Sequence, residues 1–495
     1  MPMSKRNPRV YSGSINRLCN TLIVSLFACS TVFVPLAGAS IYFVAPWGVP
    51  AGDGTWEHPL DLPTALSSKS PAKPGDILAL RSGTYKGAFV SVLSGTANNP
   101  ITIREVPEAR VTIDGSLTVQ GAWATYWGLE VMNSSGERTK GRPVGVDIFG
   151  PHTKFINLIV HDAGGGMGLW TPAVDAEVYG CLIYDNGWQG PDPDRGHGHG
   201  IYTQNQTGTK RIVDNILFNG YGWGIHAYTE GGSLNGFHIE GNTVFNSGSD
   251  TRQGYRYDNI LVGGLRPAER IELIANYTYH TLGKGGRNRL GYSAPNKDVL
   301  VRDNYFAGGS PVLSVSGWQK VTMAGNTFLG LQNLLSLIRP AGAETSDYQI
   351  DNNTYLGGDA STPFNLQNQS VDFPQWQEAG NFDHNGRLVA TPNKRTVGTK
   401  VFVRPNRYEP GRANVTVYNW DLKPNIEVDL QEVLTEGASY EVRNVLDYYG
   451  DPVAMGTYSG APVKLPMTGT STGPEFNAFV VLSRPLQSPT LPRHQ

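Results

Sequence analysis

The chain has 495 residues, of which 60 are glycine, 33 are proline and 17% are charged. Its formal net charge of −2 lacks the basic excess with which proteins neutralise phosphates, so we expect no nucleic acid partner. Glycine and proline at this level, together with the low fraction of charged residues, predict a turn-rich chain that is neither low-complexity nor disordered.

The first 39 residues have the parts of an export signal: a basic start, an apolar stretch at 21–36 and the triplet Ala37-Gly38-Ala39. The apolar stretch is too short to span a bilayer comfortably. We therefore expect cleavage before Ser40, a secreted or periplasmic protein and no stable membrane insertion. An uncleaved anchor and a lipoprotein site at Cys29 are the alternatives. Cleavage would leave Cys181 as the single cysteine, without a disulfide partner.

A short phrase recurs from residue 155 onward: apolar residues, an Asn, more apolar residues and a Gly. The copies read FINLIVHDAG, VYGCLIYDNG, RIVDNILFNG, HIEGNTVFNSG, LIANYTYHT, VRDNYFAGG, MAGNTFLG and IDNNTYLGG. The Asn falls at 157, 215, 242, 276, 304, 326 and 353, and Gly180 takes its place in one copy. Spacings of about 22 to 35 residues are typical of stacked repeats. Strand-length runs of Val, Ile, Phe and Tyr between such turns predict a β-solenoid with stacked Asn side chains.

Changes in composition divide the chain into six segments. We expect a signal peptide at 1–39, an N-terminal cap with the first rungs at 40–115, a parallel β-helix at 116–370, a linker at 371–389, a β-sandwich at 390–484 and a disordered tail at 485–495. A solenoid needs a cap over its first rung, and a short helical stretch near 62–68 fits that task. The alternating strands after 390 favour a small antiparallel β-sandwich, which would either cap the last rung or bind glycan.

The opening segment contains FVAPWG, GDGTWEHP, PGDILALRSGTY and NPITI. With the Asn phrase, it resembles secreted right-handed parallel β-helix proteins of the pectate-lyase-like and chondroitinase B-like superfamily, including lyases of the alginate lyase type. The resemblance implies an all-β, right-handed parallel β-helix, export and a polysaccharide substrate. Those lyases use a Lys base and an Arg acid around an acidic calcium cluster. The corresponding rung here reads YDNILVGG and lacks the Lys, so their catalytic residues cannot be assigned to this chain.

Equivalent residues on neighbouring rungs stack roughly 4.8 Å apart, so aligning the rungs predicts which distant residues become neighbours. We align the strands that follow Gly145, Gly168, Gly200, Gly224 and Asn259, with the next aliphatic residue pointing inward. The residues after it form an outward row of Asp147, Trp170, Tyr202, His226 and Leu261. A second outward set comprises Met167, His199, Trp223 and Asp258, and farther along lie Gln204 and Tyr228. Aromatic rings pack on sugar faces, so these rows predict a glycan site, unless loops cover them or the register slips by one.

The loop GWQGPDPDRGHGHG inserts about ten residues directly before the strand that carries Tyr202. We expect it to contact substrate through Arg195 and His197, and it also holds the metal-ligand candidates Asp192 and Asp194.

Asp162 and Asp185 follow the Asn phrase on consecutive rungs. Such a pair suits a retaining glycosidase, a calcium site or simple turn capping. Calcium is therefore the one cofactor that the sequence suggests.

Two reactions fit these residues. In β-elimination of a uronate polymer, His199 or His226 would be the base and Tyr202 or Tyr228 the acid, while Arg195, Arg252 or Arg256 would neutralise the carboxylate. In hydrolysis, carboxylates would act, and the candidates are Asp147, Asp258, Asp162 and Asp185.

The sequence thus yields two sets of candidates for a carbohydrate-active enzyme. The catalytic set is His199, His226, Tyr202, Asp147 and Asp258. The substrate-binding set is Trp170, Trp223, Tyr228, Gln204, Arg195, His197 and Arg256. A non-catalytic glycan-binding or cell-surface protein is the alternative, and the clustering of titratable groups favours the enzyme. We expect a monomer.

Overall fold

The computed structural model describes residues 38–252, 257–282, 286–292, 295–357, 361–390, 397–467 and 473–484. Residues 1–37 of the predicted signal peptide, the candidate Arg256 and the predicted tail at 485–495 lie outside the described residues. In the described part, no helix is both long and apolar enough to cross a membrane.

The chain from Ile41 to Ala390 winds into a parallel β-helix with three faces. Face 1 consists of Ile41–Val44, Ile77–Leu80, Ile101–Glu105, Ala124–Trp127, Lys154–Ile156, Glu177–Tyr179, Lys210–Val213, Leu234–Glu240, Ala268–Ile274, Asn296–Arg302, Trp318–Ala324 and Tyr348–Asp351. Face 2 consists of Glu130–Met132, Ile159–His161, Leu182–Tyr184, Ile216–Phe218, Thr243–Phe245, Tyr277–Tyr279, Tyr305–Ala307, Thr327–Gly330, Thr354–Gly357 and Arg387–Ala390. Face 3 consists of Val146–Ile148, Met167–Leu169, His199–Thr203, Trp223–Ala227, Ile260–Val262, Asn288–Leu290, Leu313–Ser316, Leu335–Ile338 and Phe364–Leu366.

Two long strands, Gly83–Ser91 and Val111–Val119, pair with each other and extend across faces 2 and 3 at the start of the β-helix. Val111–Val119 pairs with Glu130–Met132 of face 2 and with Val146–Ile148 of face 3. Side chains alternate along each strand, and the inward ones from all three faces meet in one apolar core. The parallel pairing on every face confirms the predicted right-handed parallel β-helix.

Each end of the β-helix is closed by a short helix. Helix Leu62–Leu66 begins after Asp61, whose carboxylate accepts a hydrogen bond from the Thr64 backbone N–H at 2.9 Å, and its buried residues join the core. At the other end, helix Phe373–Gly380 inserts the buried Trp376. The strand Arg387–Ala390 then pairs in parallel with Thr354–Gly357. Residues 371–389 are therefore not a linker: they cap the solenoid and begin its last rung, without an Asn phrase to reveal it.

A ladder of buried asparagines runs through the corner between faces 1 and 2. Each amide Nδ2 donates to Oδ1 of the Asn on the next rung at 2.8–3.0 Å. The members are Asn215, Asn242, Asn276, Asn304, Asn326 and Asn353. The last amide donates to Asp383 at 2.9 Å, so every rung of this stretch is tied to its neighbour.

Asn157 and Gly180, which the sequence pattern placed in this ladder, lie one position earlier on their rungs. Both have left-handed backbone conformations, with φ of 54° and 66°. The ladder position itself is held by Leu158 and Cys181, and the Cys181 backbone N–H donates to Asn215 Oδ1 at 2.9 Å. The first ladder residue is therefore Asn215. Asn157 instead pairs with Asn406 of the C-terminal domain.

We expect Asn276→Ala to lower the free energy of unfolding by about 2–4 kcal/mol, because the buried N–H groups of Asn242 lose their acceptor. Denaturant unfolding followed by circular dichroism measures this, with the exposed Asn98→Ala as the matched control. Equal stability of the two variants would contradict the structural role of the ladder.

The C-terminal domain is a small antiparallel β-sandwich, as predicted. One sheet has the order Thr399–Pro405, Arg412–Asn419, Phe476–Arg484, Ser439–Asn444 and Ala454–Thr457, and the other pairs Asn425–Val428 with Val463–Pro466. Short 3₁₀ turns are found at Thr345–Asp347 in the β-helix and at Val445–Asp447 here.

This domain packs along face 2 and does not cap the last rung. Tyr418, Trp420 and Phe476 form one apolar cluster with outward residues of face 2, among them Phe245 and Tyr279. The Phe476 and Tyr279 rings stack with centroids 4.5 Å apart. Much of face 2 is thereby covered.

A charged cluster lies at the edge of this interface. His161 contacts Asp162 through Nδ1 at 2.6 Å and Glu130 through Nε2 at 3.0 Å. Burial opposes the charge of His161, but the hydrogen bonds to the two carboxylates outweigh it and raise its pKa. Burial likewise opposes the charges of Glu130 and Asp162, but hydrogen bonds, from His161 first, lower their pKa values.

These shifts predict a pH dependence. The contribution of His161 is complete below its ordinary pKa of 6.5 and is lost as pH rises through its raised pKa, whereas that of the carboxylates is lost only as pH falls through their lowered pKa values. The stability difference between wild type and His161→Gln should therefore be largest near pH 5–6 and shrink toward pH 9. Thermal unfolding across pH measures it, with the exposed His58→Gln as control. A difference independent of pH would refute the assignment.

Candidate active site on face 3

The outward row of face 3 differs from the predicted row at one rung. Asp147 is paired in register with Gly168, Gly168 with Tyr202, and Tyr202 with His226. The prediction aligned Gly168 with Gly200, but Gly166 is the true equivalent, since Met167 is paired with Ile201. Three consecutive glycines, 164–166, made that alignment ambiguous. Met167 is accordingly buried in the core and does not belong to the outward set.

Trp170 reaches the site from the next outward position along the strand. That position is held on successive rungs by Phe149, Trp170, Gln204 and Tyr228, as the backbone hydrogen bonds between rungs show. The Trp170 indole turns back over Gly168 and donates from Nε1 to Asp147 Oδ1 at 2.8 Å. Gln204 donates from its amide to the Tyr202 hydroxyl at 3.0 Å. Glycine at 168 leaves the room for this indole.

Two imidazoles and a phenol lie together at the centre of the face. The His199 and His226 ring centroids are 4.5 Å apart, and Tyr202 lies 5.3 and 5.7 Å from them. Trp223 stacks on His226 at 4.6 Å and Tyr228 flanks its other side at 4.9 Å. The structure brings together these five predicted residues, which lie on two adjacent rungs.

Both imidazoles are held neutral. Their Nδ1 atoms are closed off from solvent and have no hydrogen-bond partner among the described residues. Burial, aided by the nearby charge of Arg195, lowers the pKa of His199 to about 3. Burial, His199 and Arg289 hold the pKa of His226 well below its ordinary value. The Tyr202 hydroxyl keeps its proton, because burial raises its pKa.

The two carboxylates predicted on this face are already engaged. Asp147 accepts from Trp170, and the buried Asp258 faces Arg289 at 3.0 Å and Arg287 at 3.6 Å. Burial raises the pKa of Asp258, and the two guanidinium groups oppose that shift. Arg289 occupies the same outward row as His226, two rungs farther along.

Internal contacts hold the loop before His199 in place beside the site. Trp188 and His197 exchange backbone hydrogen bonds at 3.1 and 2.9 Å, and their rings stack 4.0 Å apart. His197 Nε2 also contacts Asp194 at 2.8 Å, so both predicted residues hold the loop together. Arg252 donates to the loop carbonyl of Gly190 at 2.5 Å.

Of the other loop candidates, Asp192 is exposed, and Arg195 extends over the Trp223 ring at 5.7 Å. Arg195 thus faces the site from the loop. Within the described ranges, no group of three or more His, Cys, Asp or Glu side chains is arranged to hold a metal ion.

Asp162 and Asp185 lie on another part of the molecule, at the ends of face 2 strands. Both occupy left-handed turn positions, with φ of 56° and 50°. Asp162 is bound by His161 and Arg138. Burial, with nearby Asp250, raises the pKa of Asp185 to about 6. The structure does not bring this pair to face 3.

The sequence prediction missed three residues of the site. Arg289 lies on the rung after Leu261, and extending the alignment by one rung would have found it. Phe149, 36% exposed, precedes Trp170 in its row and stacks on it at 6.1 Å. Lys210 lies beneath the site at an inward position where the pattern predicts an apolar residue.

No protein-family model matches the chain. A segment of 99 residues, 19% of the chain, is 38% identical to "Pectate lyase L" from Thermoclostridium stercorarium, and this match spans only 8% of that protein.

Solved structures with similarity to the chain include a rhamnogalacturonan lyase (TM-score 0.46, 15% identity, 72% of this chain and 90% of that one). They also include the pectate lyase Pel9A (TM-score 0.40, 15% identity, 72% and 84%). A lacto-N-biosidase from Eubacterium ramulus matches with a TM-score of 0.44, 14% identity and coverage of 71% and 67%. The parallel β-helix itself is established by the strand pairing of this chain.

We expect Gly168→Ala to displace the Trp170 indole, since a Cβ there would lie 2.7 Å from Asp147 Oδ1 and 3.1 Å from Trp170 Nε1. Near-ultraviolet circular dichroism should then change in the same sense as in Trp170→Phe. Gly231→Ala is the control, because its Cβ would meet no atom within 4 Å. A Gly168→Ala spectrum identical to wild type would contradict this packing.

Proposed function

We propose that this chain is a polysaccharide-processing enzyme that cleaves a uronic acid polymer by β-elimination on the outward side of face 3. The observation that carries the proposal is the pair of neutral imidazoles, His199 and His226, beside the protonated Tyr202. The segment similar to a pectate lyase supports a polysaccharide substrate. We also propose that the chain is exported through its first 39 residues and acts as a monomer.

In this reaction a base removes the C5 proton of the uronate, the C4–C5 double bond forms, and the C4–O bond breaks. His199, half-buried and more accessible than His226, is the proposed base, and Tyr202 gives its proton to the leaving oxygen. An imidazole with a pKa of about 3 is a weak base in the free protein. A bound uronate carboxylate beside it favours the imidazolium and raises that pKa toward neutrality.

Cations near the imidazoles support an acidic substrate. Arg195 extends over the Trp223 ring, and Arg289 lies along the same row as His226. Both guanidinium groups act electrostatically on His226. They are the proposed partners of the uronate carboxylate, while Phe149, Trp170 and Tyr228 offer rings for neighbouring sugars.

Hydrolysis has less support from the geometry. Two carboxylates must face the scissile bond, one of them free to exchange a proton. Asp258 is paired with two arginines and Asp147 accepts from Trp170. Asp162 and Asp185 lie at the ends of face 2 strands.

We expect the mature protein to release products with the ultraviolet absorbance of unsaturated ends from at least one polymer in a panel of uronic and neutral polysaccharides. His199→Ala and Tyr202→Phe should each lower kcat/KM by roughly a hundredfold or more. Ser314→Ala, farther along the same row, should retain activity.

Two results would contradict the proposal. New reducing ends without that absorbance would identify a hydrolase. Retention of the protein on a polysaccharide without any product would identify a glycan-binding protein.

A further inference from the structure

A lysine is buried at an inward position of the β-helix directly beneath the proposed site. Lys210 begins the face 1 strand Lys210–Val213 and has 0% exposure. On the next rung the paired residue is Phe237, which is also fully buried in the core. Burying a charged side chain at such a place costs free energy, so Lys210 needs hydrogen-bond partners that compensate for the lost water.

Those contacts are three backbone carbonyl groups at the end of face 3. Lys210 Nζ donates to Leu169 O at 3.0 Å, to Trp170 O at 2.6 Å and to Gln204 O at 2.6 Å. Burial lowers the pKa of Lys210 to about 7, but three carbonyl acceptors favour the charged form. An ammonium group has three donors, and all three are used. Lys210 therefore fixes two adjacent rungs at the point where their face 3 strands end.

Two of the three residues whose carbonyl groups accept from Lys210 also contribute side chains to the site. Trp170 donates from its indole to Asp147, and Gln204 donates from its amide to the Tyr202 oxygen. Because the Tyr202 oxygen accepts from Gln204, its own O–H is free to point toward substrate. Thr171, adjacent to Trp170, donates to Gln204 Oε1 at 3.3 Å and links the two rungs again.

We propose that Lys210 is a positioning residue of the face 3 site: by holding the Trp170 and Gln204 backbones, it sets the hydrogen bond from Gln204 to the Tyr202 hydroxyl and the place of the Trp170 ring. This inference rests on the proposed function, since it assigns Lys210 a part in presenting the acid Tyr202. Lys210 itself is fully buried and does not contact substrate.

The test follows Tyr202 directly by ¹⁹F NMR of protein labelled with 3-fluorotyrosine. The Tyr202 resonance is assigned by its absence in Tyr202→Phe. Gln204→Leu gives the reference shift for loss of the hydrogen bond. We expect Lys210→Met to move the resonance in the same direction and to raise the pKa of the Tyr202 hydroxyl, because a donor that favours the phenolate is misplaced.

Phe237→Leu is the matched control, since it perturbs the same inward row on the next rung. It should lower thermal stability while leaving the Tyr202 resonance in place. On the substrate identified for the wild type, kcat/KM should fall about tenfold to a hundredfold in Lys210→Met and stay within about twofold in Phe237→Leu.

A folded Lys210→Met protein with an unmoved Tyr202 resonance would overturn the inference. So would a shift of the same size in Phe237→Leu. If Lys210→Met does not fold, Lys210→Gln, whose amide keeps two donors, is examined in the same way. The ¹⁹F measurement needs no substrate, so an absence of cleavage would defeat the proposed function while the role of Lys210 is still decided.

Discussion

A buried ladder of asparagine amides fixes the rungs between Asn215 and Asn353 against one another. From Asn242 to Asn353, each Oδ1 accepts both the side-chain amide and the backbone N–H of the ladder Asn on the preceding rung. A slip of one residue would leave these donors without acceptors inside an apolar core, at a cost of about 1–3 kcal/mol each. The pairing that results holds the distant residues of face 3, such as Tyr202 and His226, side by side.

The protein uses outward aromatic residues in two ways. On face 2 they are sealed beneath the C-terminal sandwich, where Phe245 and Tyr279 pack against Phe476. On face 3, Trp170 and Tyr202 stay partly exposed and surround polar groups. The domain that covers face 2 thus leaves the aromatic residues of face 3 partly exposed, on the side where we propose that a sugar chain binds. The same alternation of side chains along parallel strands produces both surfaces.

Periodicity in the sequence was sufficient to predict the solenoid, because apolar spacing and turn residues are local signals. The register of the strands was harder to predict, because the glycine run before Met167 allowed two alignments. Only the strand pairing in the structure shows that Gly166, and not Gly168, is equivalent to Gly200. Lys210 was unpredictable for a different reason. Its partners are backbone carbonyl groups. Every residue has such a group, so the amino-acid sequence does not reveal which carbonyls accept from Lys210. The contact of His197 with Trp188 likewise depends on the conformation of the loop, which the spacing of residues in the sequence does not predict.

We propose that the reaction takes place on the open side of face 3, and a crystal structure of the Tyr202→Phe protein with a uronate oligosaccharide tests that placement most directly. We expect a sugar with its carboxylate near Arg195 or Arg289 and its C5 atom facing His199, with a neighbouring sugar on Trp170. An oligosaccharide bound on face 1 or on the C-terminal sandwich, with face 3 empty, would contradict it.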